Sequence, residues 1–219
     1  MRRAAAAAAL AAAAGCAPLV ALDVGHHAAA PGAIGASGTP EFEYNLALAG
    51  EVRRALEPHG LRTYMIGERG DYAVLHDRTR DAQGADLFLS IHHDSVREEL
   101  LPSAGSFSGF SLFVSRLNPR LEKSLACASA IGERLRAAGF SPSRYHADPA
   151  LGSGRAFADE ANGVHYYDNL AVARTATMPS VLVEAGVIVN REEELRLRDP
   201  LVRGRIARAI AGGVASCLK

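Results

Sequence analysis

The sequence predicts an α/β fold: a single domain with a mostly parallel or mixed central sheet and helices on both faces. Three observations carry this. Short apolar runs of strand length alternate with longer stretches whose apolar residues recur at helical spacing. Residues 86–92 and 180–184 end on an ionisable residue, His92 and Glu184, at the C-terminal ends where α/β sheets gather their sites. The 219 residues are 48% apolar, enough for one core of ordinary size, and no repeat or linker divides them.

The elements follow in order. Residues 18–24 (PLVALDV) form an apolar strand ending at Gly25. Thr39 and Pro40 open a helix, with Thr39 as N-cap and Pro40 in the first turn. Phe42, Leu46, Ala49, Val52 and Leu56 share one helical face, and Gly60 stops it. Residues 61–66 are the next strand and 73–83 the next helix. Strands at 86–92 and 110–115 follow. Leu121, Leu125, Ala128, Ile131 and Leu135 mark a long helix that ends at Gly139. Residues 141–169, with Gly, Pro, Asp, Asn and two His, read as loop. A strand at 180–184 and a helix at 201–217 complete the domain.

Charge excludes some functions. Lys+Arg and Asp+Glu number 24 each, so no strongly basic surface recruits nucleic acid and no acidic tail is present. Trp is absent and aromatics are 6%, which argues against a carbohydrate platform of stacked rings. Arg2 and Arg3 precede an apolar run from Ala4 to Ala14, the layout of a secretory signal peptide over residues 1–16. The sequence Ala13-Ala14-Gly15-Cys16 resembles a lipobox, which would leave Cys16 lipidated and membrane-anchored; plain secretion is the competing reading. Either way the expected location is outside the cytoplasm, in the periplasm or cell envelope, and the folded domain is expected to span 17–219. Cys127 and Cys217 then remain as a pair, either a disulfide or two buried thiols.

Four polar residues sit where a core would prefer apolar ones: His26 after the first strand, Glu43 in the first helical turn, His92 closing one strand and Glu184 closing another. They are far apart in the chain, so any shared site is assembled by the fold. Two imidazoles and one carboxylate suit an open Zn²⁺ site with a position left for water. The ion lowers the pKa of that water to about 7, and a second carboxylate is the natural proton carrier.

Asp23-Val-Gly-His26, Pro31-Gly-Ala-Ile-Gly35, Glu43-Tyr-Asn45-Leu, Ser90-Ile-His92 and Pro179-Ser-Val-Leu-Val-Glu184-Ala-Gly with Asn190 occur in this order. Together they resemble the type-3 zinc-dependent N-acetylmuramoyl-L-alanine amidases, the cell-separation and sporulation amidases, from about residue 19 to the end. The resemblance implies a phosphorylase/hydrolase-like domain that acts on peptidoglycan, with His26, Glu43 and His92 as zinc ligands and Glu184 as catalytic carboxylate. Asn45 would orient Glu43 or cap local backbone; Arg78 and Arg174 match positions where the family often has Arg and serve either the site or ordinary ion pairs. The chain departs from the family at Val24 (usually Pro), His27 (usually Gly), Ala30 (usually Asp) and Ala185-Gly186-Val187 (usually Gly-Phe). His27 and His93 duplicate the ligand positions one residue later; register favours His26 and His92. The sequence shows no wall-binding repeat and names no protein activator.

Overall fold

A computed structural model describes residues 16–219; nearly all of the expected leader lies outside the described residues. The chain folds in the order β1 (Leu19–Val24), α1 (Glu41–Leu56), β2 (Arg62–Ile66), α2 (Leu75–Asp81), β3 (Leu87–Asp94), β4 (Ser111–Val114), α3 (Leu121–Ala137), β5 (Phe157–Asp159), β6 (Val164–Tyr166), α4 (Ala171–Thr175), β7 (Ser180–Val187), α5 (Arg191–Arg198) and α6 (Pro200–Leu218). All seven strands join one sheet in the order β2-β1-β3-β7-β4-β6-β5. β2, β1, β3 and β7 run parallel, and β4 pairs antiparallel with β7, so the sheet is mixed, as expected.

The two faces are covered unequally. Successive strand residues point to opposite sides. Val20, Leu22, Leu89, Ile91, Val181 and Val183 pack with α1, α3 and α6 in the larger core. Ala21, Phe88, Phe113 and Leu182 face the other way, into a smaller core with Val172 of α4. The thick side carries helices of 16, 17 and 19 residues, whereas α2 and α4 have only 7 and 5. The thin side therefore leaves room for a cleft, and Asp23, Ser90, His92 and Glu184 belong to that side by strand alternation.

Three sequence expectations change. α1 begins at Glu41, with Pro40 at the cap position and no side-chain cap bond. Thr39 instead shares a hydrogen bond with the Ser37 hydroxyl. Residues 141–169 are not all loop: β5 and β6 extend the sheet edge, their three-residue lengths being too short for a periodicity signal. Cys127 and Cys217 form a disulfide that joins α3 to α6.

Candidate metal centre and catalytic cleft

The site forms where β1, β3 and β7, three adjacent parallel strands, end. His26 follows β1 through Gly25 and adopts a left-handed backbone, φ 68°, a conformation costing a non-glycine residue on the order of 1–3 kcal/mol unless neighbours hold it. Arg78 supplies that hold. Fully buried, it pairs with Asp23 at 2.6 Å, donates to the Val24 carbonyl at 2.6 Å and to the Tyr72 carbonyl at 2.9 Å, and also grips the His26 carbonyl. Ser90 donates to the other Asp23 oxygen at 2.6 Å. Arg78 thus braces the backbone behind His26 through a buried ion pair.

His92 lies on β3 directly opposite Glu184 of β7. The carboxylate that joins the two imidazoles is Glu41, not Glu43. Glu41 Oε2 is 2.9 Å from His26 Nε2, and Oε1 is 3.1 Å from His92 Nδ1. Glu43, two residues along α1, is exposed. Two residues rotate a helix by about 200°, so both cannot face the strand ends. Burial alone would raise the Glu41 carboxyl pKa, but the hydrogen bonds and charges of His26 and His92 hold it well below the usual range.

Asn45, one turn after Glu41, ties the cluster together. It donates to Glu41 Oε1 at 3.1 Å and to the Gly25 carbonyl at 3.2 Å, and accepts from His93 Nδ1 at 2.8 Å. His93 is buried against this support, which leaves His92 as the residue facing the cleft. Arg174 is exposed on α4, and its side chain makes no hydrogen bond or ion pair among the described residues. It lines neither of the two cavities that adjoin the centre.

The residues fit a metal ion. One atom each from His26, Glu41 and His92 lie within 4.8 Å of one another, and an N₂O donor set with room beside it suits zinc. The surroundings are cut to these side chains. A Cβ on Gly25 would meet the His92 ring at 2.3 Å, and one on Gly32 would meet Glu41 Oε2 at 2.4 Å. Both positions therefore require glycine.

Glu184 flanks the centre. Its Oε2 is buried without a partner among the described residues. Burial first, then the charges of Asp94 and Glu41, push its pKa well above the ordinary value, with Arg155 opposing. A cavity of about 190 Å³ opens beside Glu184, lined also by Tyr145, Arg155 and Tyr167. A second, of about 350 Å³, adjoins His26 and His92 and shares Leu170 and Leu182 with the first. The two thus adjoin at Leu170 and Leu182, with Glu184 lining one and His26 and His92 lining the other. Part of the first cavity's wall comes from residues 141–169, a stretch whose length and richness in the sequence point to a role in shaping the groove, although no motif marks Tyr145 or Arg155 individually.

A sequence model of the family described as N-acetylmuramoyl-L-alanine amidase matches residues 20–216. The amidase AmiA of Escherichia coli K12 is 31% identical over 226 residues, 90% of this chain and 75% of that protein. The catalytic domain of CwlV, an amidase from Bacillus (Paenibacillus) polymyxa var. colistinus, superposes with a TM-score of 0.72 at 27% identity, covering 92% of this chain and 98% of that one. Ami1 of Mycobacterium smegmatis gives 0.76 at 25% identity, covering 93% and 98%. A match of this extent, over a fold and a cleft already in place, makes the chain a member of the N-acetylmuramoyl-L-alanine amidase family.

Proposed function

We propose that the chain is a zinc-dependent peptidoglycan hydrolase that cleaves the amide between the lactyl group of N-acetylmuramic acid and L-alanine of the stem peptide. The observation that carries it is the His26–Glu41–His92 cluster with Glu184 in register beside it. His26, Glu41 and His92 would hold the ion. When bound, Zn²⁺ supplies Lewis acidity, polarising the scissile carbonyl and easing deprotonation of water.

The chain's own residues do the rest. Glu184 accepts a proton from water as the water oxygen bonds to the carbonyl carbon. It then delivers that proton to the alanine nitrogen as the C–N bond breaks. The products are a lactyl carboxylate and a free amine. A carboxyl whose pKa is raised by burial is suited to both halves of this exchange. Asn45 and Arg78 keep Glu41 and His26 in place and touch no reacting atom.

Export of the chain would fit this reading, since the substrate lies outside the cytoplasmic membrane, and the leader-like start of the sequence points that way. No helix among the described residues is long and apolar enough to cross a membrane. Lipidation of Cys16 would tether the enzyme within reach of the wall. The test is product analysis of purified wall digested by the metal-loaded protein. Intact stem peptides with a new alanine amino terminus, plus peptide-free glycan, are expected. Trimmed peptides would instead identify a related zinc peptidase, and wall binding without release an inactive binder.

A further inference from the structure

Arg155 is a charged side chain held beside Glu184, whose raised pKa it opposes, and its fixed contacts leave part of its guanidinium without a side-chain partner among the described residues. Its backbone N–H donates to the His146 carbonyl at 2.7 Å. Its guanidinium lies 4.0 Å over the Tyr167 ring and 5.3 Å from that of Phe113. Nη1 is 2.8 Å from His146 Nδ1, while His146 Nε2 is anchored 2.6 Å from the buried Asp94. Stacking and one fixed hydrogen bond set the plane and direction of the fork. Among the described residues His146 is its one side-chain hydrogen-bond partner, and none of its nitrogens is a buried orphan. The remaining donors are left to solvent or a ligand, and Arg155 lines the 190 Å³ cavity together with Glu184. Arg97 lines the same cavity, but it pairs with Glu99 at 3.3 Å.

A guanidinium with its geometry fixed in advance recognises a carboxylate with little further ordering cost. We infer that Arg155 binds a free carboxylate on the stem peptide one residue beyond the scissile amide, making the cavity beside Glu184 a peptide subsite that distinguishes acid from amide. This rests on the amidase reading. In the stem peptide the residue after L-alanine is D-glutamate joined onward through its γ-carboxyl, so its α-carboxyl is either free or amidated. The cavity that holds Glu184 and Arg155 suits this charged arm, while the cavity beside His26 is lined by Ala73, Leu75 and Val172 and offers no matching cation apart from the fully buried, paired Arg78.

The experiment compares the metal-loaded wild type with Arg155→Gln and Arg155→Lys on two muramoyl peptides, one with the second-residue α-carboxyl free and one with it amidated. The wild type is expected to favour the acid in kcat/KM by about tenfold or more, the size of one charge-assisted contact. Arg155→Gln removes that preference by slowing the acid alone, and Arg155→Lys, which keeps charge but loses the fork, retains part of it. Equal loss on both substrates, or an unchanged preference in either variant, overturns the assignment. Calorimetric binding of the corresponding free peptides, acid and amide, runs in parallel and needs no turnover. If neither muramoyl peptide is cleaved, the amidase reading fails, and the peptide binding still decides Arg155: loss of acid selectivity in Arg155→Gln supports the subsite, and unchanged selectivity removes it.

Discussion

Glu41 and Glu43 face opposite sides of α1: the first is 4% exposed between two imidazoles, the second lies at the surface. The pair separates metal binding from helix charge. Both carboxylates sit in the first turn, where either complements the helix dipole. Only Glu41 reaches His26 and His92. Glu41→Gln should weaken zinc binding by more than about 100-fold, since loss even of a supporting residue costs 10–100-fold. Glu43→Gln should leave it unchanged. Metal content after dialysis against a weak chelator measures both. Loss of zinc in the Glu43 variant alone would return the ligand to the position the sequence favoured.

Glu184 should be separable from the ion. It stands across the strand pair from His92 and outside the ligand cluster. Glu184→Gln preserves shape and removes the proton carrier. Turnover should fall about 10²–10⁴-fold, the usual contribution of positioned acid–base catalysis, with metal content at the wild-type level. Rates on muramoyl peptide and bound zinc are read on the same preparation. A variant that turns over normally would show that the proton moves by another route.

What the sequence revealed and what it hid follow from the length scale of each signal. The alternation of strands with helices is written in runs of four residues or more, so β1, β2, β3, β4, β7, α1, α2, α3 and α6 are legible, whereas the three-residue β5 and β6 are not. His26, His92 and Glu184 stand out because each ends an apolar run on a polar group. Glu41 does not stand out in the sequence because it and Glu43 both fit an acidic first turn. The choice depended on where α1 starts, and helix boundaries shift by one or two residues. Arg155 carried no local signal at all: its role depends on His146 and Tyr167, which β6 and the preceding turns bring to it.

The disulfide should stabilise the thick side of the sheet without touching the cleft. Cys127 and Cys217 are separated by 90 residues, a loop long enough for a bond to contribute about 2–4 kcal/mol by restricting the unfolded chain. The double variant Cys127→Ala, Cys217→Ala should melt roughly 4–16 °C lower. Its kcat/KM at 25 °C should be unchanged, because α3 and α6 pack on the side of the sheet away from Glu184. Thermal unfolding with and without reductant provides the control: reductant should lower the wild-type Tm and leave the variant's alone. A wild type indifferent to reductant at every temperature would mean that the bond contributes nothing.

Acid should destabilise the fold through His165, which is fully buried on β6. Its Nδ1 lies 3.2 Å from the Arg155 carbonyl, and Nε2 has no partner among the described residues. Burial lowers its pKa from the ordinary 6.5 to about 4, so the folded protein refuses a proton that the unfolded chain accepts. Above pH 6.5 neither state is protonated at this residue and the contribution to stability is constant. As pH falls from 6.5 to 4 the unfolded state is favoured, by about 1.4 kcal/mol per pH unit at most, and below 4 the loss levels off. Buried His93, lowered similarly to about 4, adds to the slope. His165→Phe replaces one ring by another in a cluster that already holds Phe157 at 4.3 Å and Phe113 at 5.6 Å. Denaturant unfolding between pH 4 and 7.5 should show the variant with a visibly flatter dependence than the wild type. Equal slopes would mean that His165 is protonated in the folded protein and finds a partner for Nε2.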